Sequence, residues 1–298
     1  MNAVETRKLT KNYGKNRGID QVDLVIPEGD IFGFIGPNGA GKSTTIRLLL
    51  GMLKPTSGEA CIFGDHVGKK GKKVRAQVGY MPSEAQFYPG LRVEEVIRLS
   101  ADLHKSKCKQ EAGRLCDRFE LDRKKRIEEL SLGNRKKVAL VCALQHSPKL
   151  VILDEPTSGL DPLMQREFFE EIKEQNKKGV TIFFSSHVLS EIQEHCRHAA
   201  IIREGKLIRS ASVEELTKTS AKIVTVRGTT QGAILQNEWL RPGIVKLQEE
   251  NGALRFFYEG ETKKLLHGLA AEGVSDVNIA DPGLEELILH YYQEGARE

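Results

Sequence analysis

The spacing of hydrophobic positions changes several times along this chain, and each change marks an element. Ile31-Phe32-Gly33-Phe34-Ile35, Lys149-Leu150-Val151-Ile152-Leu153 and Val180-Thr181-Ile182-Phe183-Phe184 are short apolar bursts. That pattern predicts strands buried on both faces of a parallel sheet. Val78-Gly79-Tyr80-Met81 reads as another core strand, stopping at Pro82. Between the bursts the apolar spacing becomes helical. It does so over residues 45–52, over residues 91–126 (Val93, Val96, Ile97, Leu99 and Leu103, then Leu115, Cys116, Phe119 and Leu121), and in a long segment through Leu144 that residues 128–134 lead into. A further helix begins at Asp161-Pro162, a capping carboxylate with proline at the first helical position, and stops at Gly179.

The flanking regions alternate with period two. Residues 4–26 predict short strands with turns at Asn12-Tyr13-Gly14 and Pro27-Glu28-Gly29; residues 60–64 predict a strand after the turn at 54–59. Ala199-Ala200-Ile201-Ile202 and Lys206-Leu207-Ile208 form a hairpin about Glu204-Gly205. Ser212-Val213-Glu214-Glu215 is a capping box that opens a short helix and closes the first domain, taken as residues 1–217. Residues 218–298 are then a small α+β appendage. It has strands over 222–227, 244–248, 253–258 and 274–279, a helix over 261–271 and a last amphipathic helix over 284–292. The run Gly-Lys-Lys-Gly-Lys-Lys-Val-Arg at 68–75 reads as a solvated helix face in preference to an anion-binding patch.

Candidate chemistry sits where a strand meets a helix. Gly36-Pro37-Asn38-Gly39-Ala40-Gly41-Lys42-Ser43-Thr44 follows the first apolar burst and precedes a helix, with the spacing Gly-x4-Gly-Lys-Ser of a phosphate-cradling P-loop. Glycines let the backbone curl with its N–H groups inward, and the helix N-terminus favours an anion. Lys42 is expected on the β- and γ-phosphates of a bound nucleotide and Ser43 on Mg²⁺. Asp154 and Glu155 end a buried strand, a poor core design unless each carboxylate has a partner. Asp154 is expected to hold the Mg²⁺, and Glu155 to orient or deprotonate the attacking water. His187, at another strand end, is placed to touch the γ-phosphate. Tyr13 can stack on a purine or simply cover the sheet edge.

Composition bounds these readings. The 298 residues are 39% hydrophobic and 29% charged, which is globular composition. No run reaches the length of a membrane span, and the N-terminus lacks a secretion signal, so an intracellular chain is expected. The five cysteines are scattered without a Cys-x-x-Cys pair, which argues against a metal site or a disulfide framework. A net charge of +4 is too mild to imply nucleic acid.

In this order, the motifs over residues 3–217 resemble the nucleotide-binding subunit of ATP-binding-cassette transporters. Tyr13 stands at that family's adenine-stacking position, Leu130-Ser131-Leu132-Gly133-Asn134 at its signature, Ser158-Gly159-Leu160-Asp161 at its D-loop and His187 at its switch histidine. The resemblance implies an α/β P-loop NTPase core of RecA type, with an antiparallel β subdomain and a helical subdomain over about residues 88–145. It also implies two copies, or a paralogous pair, sandwiching two Mg-ATP. Each ATP would be covered by Ser131 and Gly133 of the other copy, with Asp161 near by. The ATPase would drive a separate transmembrane permease from the cytoplasmic face of the membrane. The signature departs from its pattern at Leu132 and Asn134. Ser83, followed by Glu84, stands where the family has a magnesium-contacting glutamine, so Glu84 or a water is expected to fill that place. Residues 32–53, 78–84 and 283–292 are similar to the multidrug and antibiotic-peptide exporter branch. Competing readings are a soluble cassette acting on ribosomes or DNA, and an ATP-binding regulatory subunit with little turnover.

Overall fold

The computed structural model describes residues 1–14, 16–105, 108–217, 221–250 and 252–282; the helix expected over 284–292 lies outside them. The chain divides into two compact units between Val213 and Glu214. The first opens with β1 (Asn2–Tyr13), β2 (Asn16–Val22) and β3 (Val25–Pro27). The wholly buried β4 (Ile31–Ile35) feeds the glycine-rich loop, and α1 (Lys42–Leu49) leaves it. Next come β5 (Ser57–Ile62), β6 (Asp65–His66), the lysine-rich α2 (Val67–Ala76) and β7 (Val78–Met81). A helical stretch follows: α3 (Val93–Leu103), α4 (Lys109–Arg118) and α5 (Leu132–Leu144). The unit then runs through β8 (Leu150–Asp154), α6 (Pro162–Lys177), β9 (Thr181–Ser186) and α7 (Leu189–His195) to the hairpin of β10 (His198–Arg203) and β11 (Lys206–Ser212). The short α8 (Val213–Thr217) begins at the division.

The central sheet has the order β11-β10-β4-β9-β8-β7. Its strands from β10 to β7 are parallel and only β11 is antiparallel. Parallel strands all end at one edge of the sheet, so whatever follows them gathers there. The glycine-rich loop follows β4, Ser83 follows β7, Glu155 follows β8 and His187 follows β9. The apolar bursts form the middle of this sheet because each residue has a buried neighbour on either face. Phe183 packs on Phe32 and Phe34, with ring centroids 6.2 and 5.5 Å apart. A fully buried Phe contributes about 1.5–3 kcal/mol of apolar transfer. The second sheet is antiparallel, in the order β2-β1-β5-β6 with β3 on β1.

The helical stretch is tied to the rest of the unit by ions. Glu171 of α6 is fully buried and accepts both guanidinium N–H groups of Arg114 on α4, at 3.1 and 2.6 Å. Arg118 lies 3.2 Å from the same carboxylate. Burial pushes the Glu171 carboxyl up, but the bonds from Arg114 and Gln175 outweigh it and hold the group below its usual value.

Several expectations shift. α1 starts at Lys42, not 45, because its first turn is already part of the glycine-rich loop. Of the apolar stripe expected on α3, Val93, Val96 and Ile97 are buried, whereas Leu99 and Leu103 are 41% and 77% exposed. The stripe therefore runs past the surface that α3 packs against. The basic face of α2 is exposed and partly compensated, since Lys70 and Lys73 each lie 2.8 Å from Asp65.

The second unit runs β12 (Ala221–Arg227), α9 (Gln231–Gln236), β13 (Ile244–Glu250), β14 (Ala253–Glu259), α10 (Thr262–Ala271) and β15 (Asp276–Ala280). The antiparallel order β13-β14-β12-β15 makes it a split βαβ, ferredoxin-like unit. Val224, Val226, Phe256, Ile234, Leu265 and Leu269 share its core. The helix α9 was not expected. Its six residues bury only Ile234, so there is no periodicity for a sequence reading to find.

Candidate nucleotide site

A cavity of about 490 Å³ opens at the carboxyl edge of the parallel sheet. Residues 37–44 of the glycine-rich loop line one side. Ser83, Glu84, Glu155, Ser158 and His187 line the others. The loop's shape depends on missing side chains. Gly41 caps α1 in the left-handed region, φ +111°, where a Cβ would stand 2.7 Å from Ile19 Cγ2. A Cβ on Gly36 would stand 2.5 Å from the Ile202 carbonyl oxygen. No side chain caps α1, so its first-turn N–H groups are left to the cavity.

Lys42 is 6% exposed, and its Nζ donates to the carbonyls of Gly36 (2.6 Å) and Pro37 (3.3 Å). It also lies 3.0 Å from Glu155 Oε1. The other Glu155 oxygen lies 2.5 Å from His187 Nδ1. A carboxylate can only accept, so this places a proton on that ring nitrogen. Glu155 is thus held between a cation and an imidazole, on a backbone in the left-handed region at φ +49°. That region is costly for a residue with a Cβ and must be enforced by its surroundings. The Glu155 N–H donates to Ser185 Oγ at 3.1 Å, and Lys136 Nζ donates to the Glu155 carbonyl at 2.9 Å.

Asp154, the last residue of β8, is 2% exposed and accepts from Ser185 Oγ at 2.7 Å. Asp154 and Ser185 are register partners on β8 and β9, so one serine positions both acidic residues. Glu84 Oε2 accepts a long bond of 3.4 Å from Gln86 Nε2.

Gly36, Asp154 and the remaining expected residues are not among those that line the cavity. Tyr13 ends β1, is 42% exposed and has Lys11 Nζ 5.5 Å from its ring centroid. It neighbours Gly18, which does line the cavity: a Cβ there would be 3.2 Å from Tyr13 Cδ2. Ser131 is exposed and caps α5, its Oγ accepting from the Asn134 N–H at 3.3 Å. Gly133 follows in the first turn of α5, and neither residue lines this cavity. Asp161 caps α6, accepting from the Met164 N–H at 3.0 Å.

Sequence reasoning missed Gly18, Ser185 and Lys136 as parts of the site. Ser185 lies near the end of β9, two residues before His187, but its task depends on a register partner 31 residues away. Lys136 stands among the adjacent cations Arg135-Lys136-Lys137, and no local pattern marks it as the buried one.

A glycine-rich loop at the carboxyl end of a central parallel strand, opposite a buried aspartate and a glutamate, defines a P-loop nucleoside triphosphatase. Comparison with known proteins narrows that class. Residues 19–158 match the ABC transporter family. The chain is 39% identical over 226 residues to the bacitracin transport ATP-binding protein BcrA of Bacillus licheniformis, covering 74% of this chain and 72% of that protein. It is 35% identical over 243 residues to the probable multidrug ABC transporter ATP-binding protein YbhF of Escherichia coli (strain K12), covering 79% of this chain but only 42% of YbhF. A solved ATP-binding subunit of an ABC transporter superposes with a TM-score of 0.67 at 31% identity, covering 72% of this chain and 91% of that one. The chain belongs to the family of ABC transporter ATP-binding subunits and is an ATPase. Among the described residues, no helix is long and apolar enough to cross a membrane.

Proposed function

We propose that two copies of this chain, or one copy and a paralogous subunit, bind two Mg-ATP head to tail and power a separate membrane permease that exports its substrate. The observation that carries this reading is the split of the expected nucleotide contacts. The phosphate loop, Glu155 and His187 meet in one cavity, while Ser131 and Gly133 stand outside it on the exposed N-terminal end of α5. A signature on an exposed helix start, with first-turn amides suited to a phosphate, fits a cap supplied to a second copy. BcrA is named for bacitracin transport and YbhF for probable multidrug transport, and export is the direction we propose for this chain from that likeness. The location that follows is the cytoplasmic face of the membrane, peripheral through the permease.

The residues present fit the nucleotide and its ion. The cradle requires glycine where a Cβ would collide, and Asp154 is a buried carboxylate with its serine in place. Ser43 and Asp154, with Ser83 or Glu84, would hold Mg²⁺, which supplies charge neutralisation on the phosphate oxygens. In the mechanism we propose, Lys42 exchanges Glu155 for the β- and γ-phosphate oxygens. Glu155 Oε1, relieved of its ion pair, accepts a proton from the attacking water. His187 keeps the second carboxylate oxygen in place and reaches toward the γ-phosphate. Tyr13 stacks on the base, and Asp161 sets the D-loop beside the second copy.

The test is Glu155→Gln in the protein with its permease. General-base help is typically worth 10²–10⁴-fold, so turnover is expected to fall by about that factor with ATP still bound. Turnover equal to wild type would contradict the role given to Glu155.

A further inference from the structure

We infer that Lys136 is a positioning residue that fixes the Glu155 backbone to the helix carrying Ser131 and Gly133. It lies in the second turn of α5, is 2% exposed, and its Nζ donates to the carbonyls of Glu155 (2.9 Å) and Pro156 (3.4 Å). Among the described residues those two carbonyls are its hydrogen-bond partners. A methionine or leucine could fill this space without the several kcal/mol that burial of an ammonium group costs. The charge is therefore placed for what it holds.

What it holds is the strained peptide at the active carboxylate. Glu155 sits at φ +49°, its N–H anchored to β9 through Ser185 and its C=O to α5 through Lys136. The side chain leaves that peptide toward Lys42 and His187. Rotation of the peptide would swing the carboxylate, and a displacement of about 1 Å in a reacting group can cost as much as 10²-fold in rate. Because α5 begins at Ser131, the same helix presents the cap to the second copy and holds the base of its own copy. Movement of the cap on one nucleotide is thereby transmitted to the base on the other. This inference rests on the proposed roles of Glu155 and Ser131.

Lys136→Met, which keeps the chain length and removes the donor, is the direct test, run beside Glu155→Gln. The expected result is an ATP dissociation constant within about twofold of wild type and a kcat lowered by about 10- to 10²-fold. Amide hydrogen exchange over residues 155–158 should also be faster in the variant. Should Lys136→Met fail to fold, Lys136→Gln, with a shorter neutral donor, is expected to lower kcat less and leave binding unchanged. A kcat at the wild-type level in the folded variant, or ATP affinity lost in step with kcat, overturns the inference. Failure of the underlying reading looks different: Glu155→Gln itself would then turn over normally.

Discussion

At the scale of single residues, the site is shaped by what is missing as much as by what is present. Gly36 faces the Ile202 carbonyl so closely that Gly36→Ala must displace backbone. Isothermal titration is therefore expected to show at least a tenfold weaker ATP affinity, since the loop's N–H groups lose their common direction; unchanged affinity would contradict the cradle. Lys42→Ala should weaken ATP as well, because no other ammonium lines the cavity among the described residues. Tyr13 is the more exposed partner. Tyr13→Ala is expected to weaken ATP, GTP and ADP alike, by up to the 1–3 kcal/mol typical of base–aromatic stacking. Retention of full affinity would return it to the sheet edge. Gly36 and Lys42 were legible in the sequence because they share one short motif between a strand and a helix, whereas the role of Tyr13 rests on the resemblance. Ser185 and Lys136 were not, because their tasks exist only across a strand register or beneath a turn.

At the scale of elements, the parallel strands could be read from their apolar bursts, since burial on both faces leaves little room for polar residues. The helices were less legible. α3 carries its stripe past the packed surface to Leu99 and Leu103, and α9 is too short to show a period. Two consequences belong here. Arg114→Met removes a partly exposed guanidinium of α4 from the fully buried Glu171 of α6, which keeps Arg118 and Gln175. A loss of about 1.5–3 kcal/mol is expected in denaturant unfolding, the range typical of hydrogen bonds to a charged group. The second concerns His146, just past the end of α5, whose burial beside His104 pulls its pKa down to about 4 from the usual 6.5. The native ring is thus neutral where the unfolded ring takes a proton. Stability is unaffected above pH 6.5 and falls as pH drops from there toward 4, by about 1–3 kcal/mol. His146→Gln should flatten that part of the melting curve against pH; an unchanged slope would show that another group sets it.

At the scale of the whole molecule, the chain is a P-loop cassette followed by a ferredoxin-like unit, and the two were legible to different degrees. The cassette announced its chemistry through ordered motifs. The second unit showed only short alternating strands, and its split βαβ topology emerges from strand pairing that no local pattern encodes. The consequence we propose for Ser131 and Gly133 on the start of α5, outside the cavity that the phosphate loop lines, is a nucleotide-dependent dimer. Light scattering of Glu155→Gln measures it: with Mg-ATP the mass should double from 33.3 kDa per chain, and with Mg-ADP it should fall back. A mass that stays at one chain with saturating Mg-ATP bound would contradict the proposal that each nucleotide is closed in by a second copy.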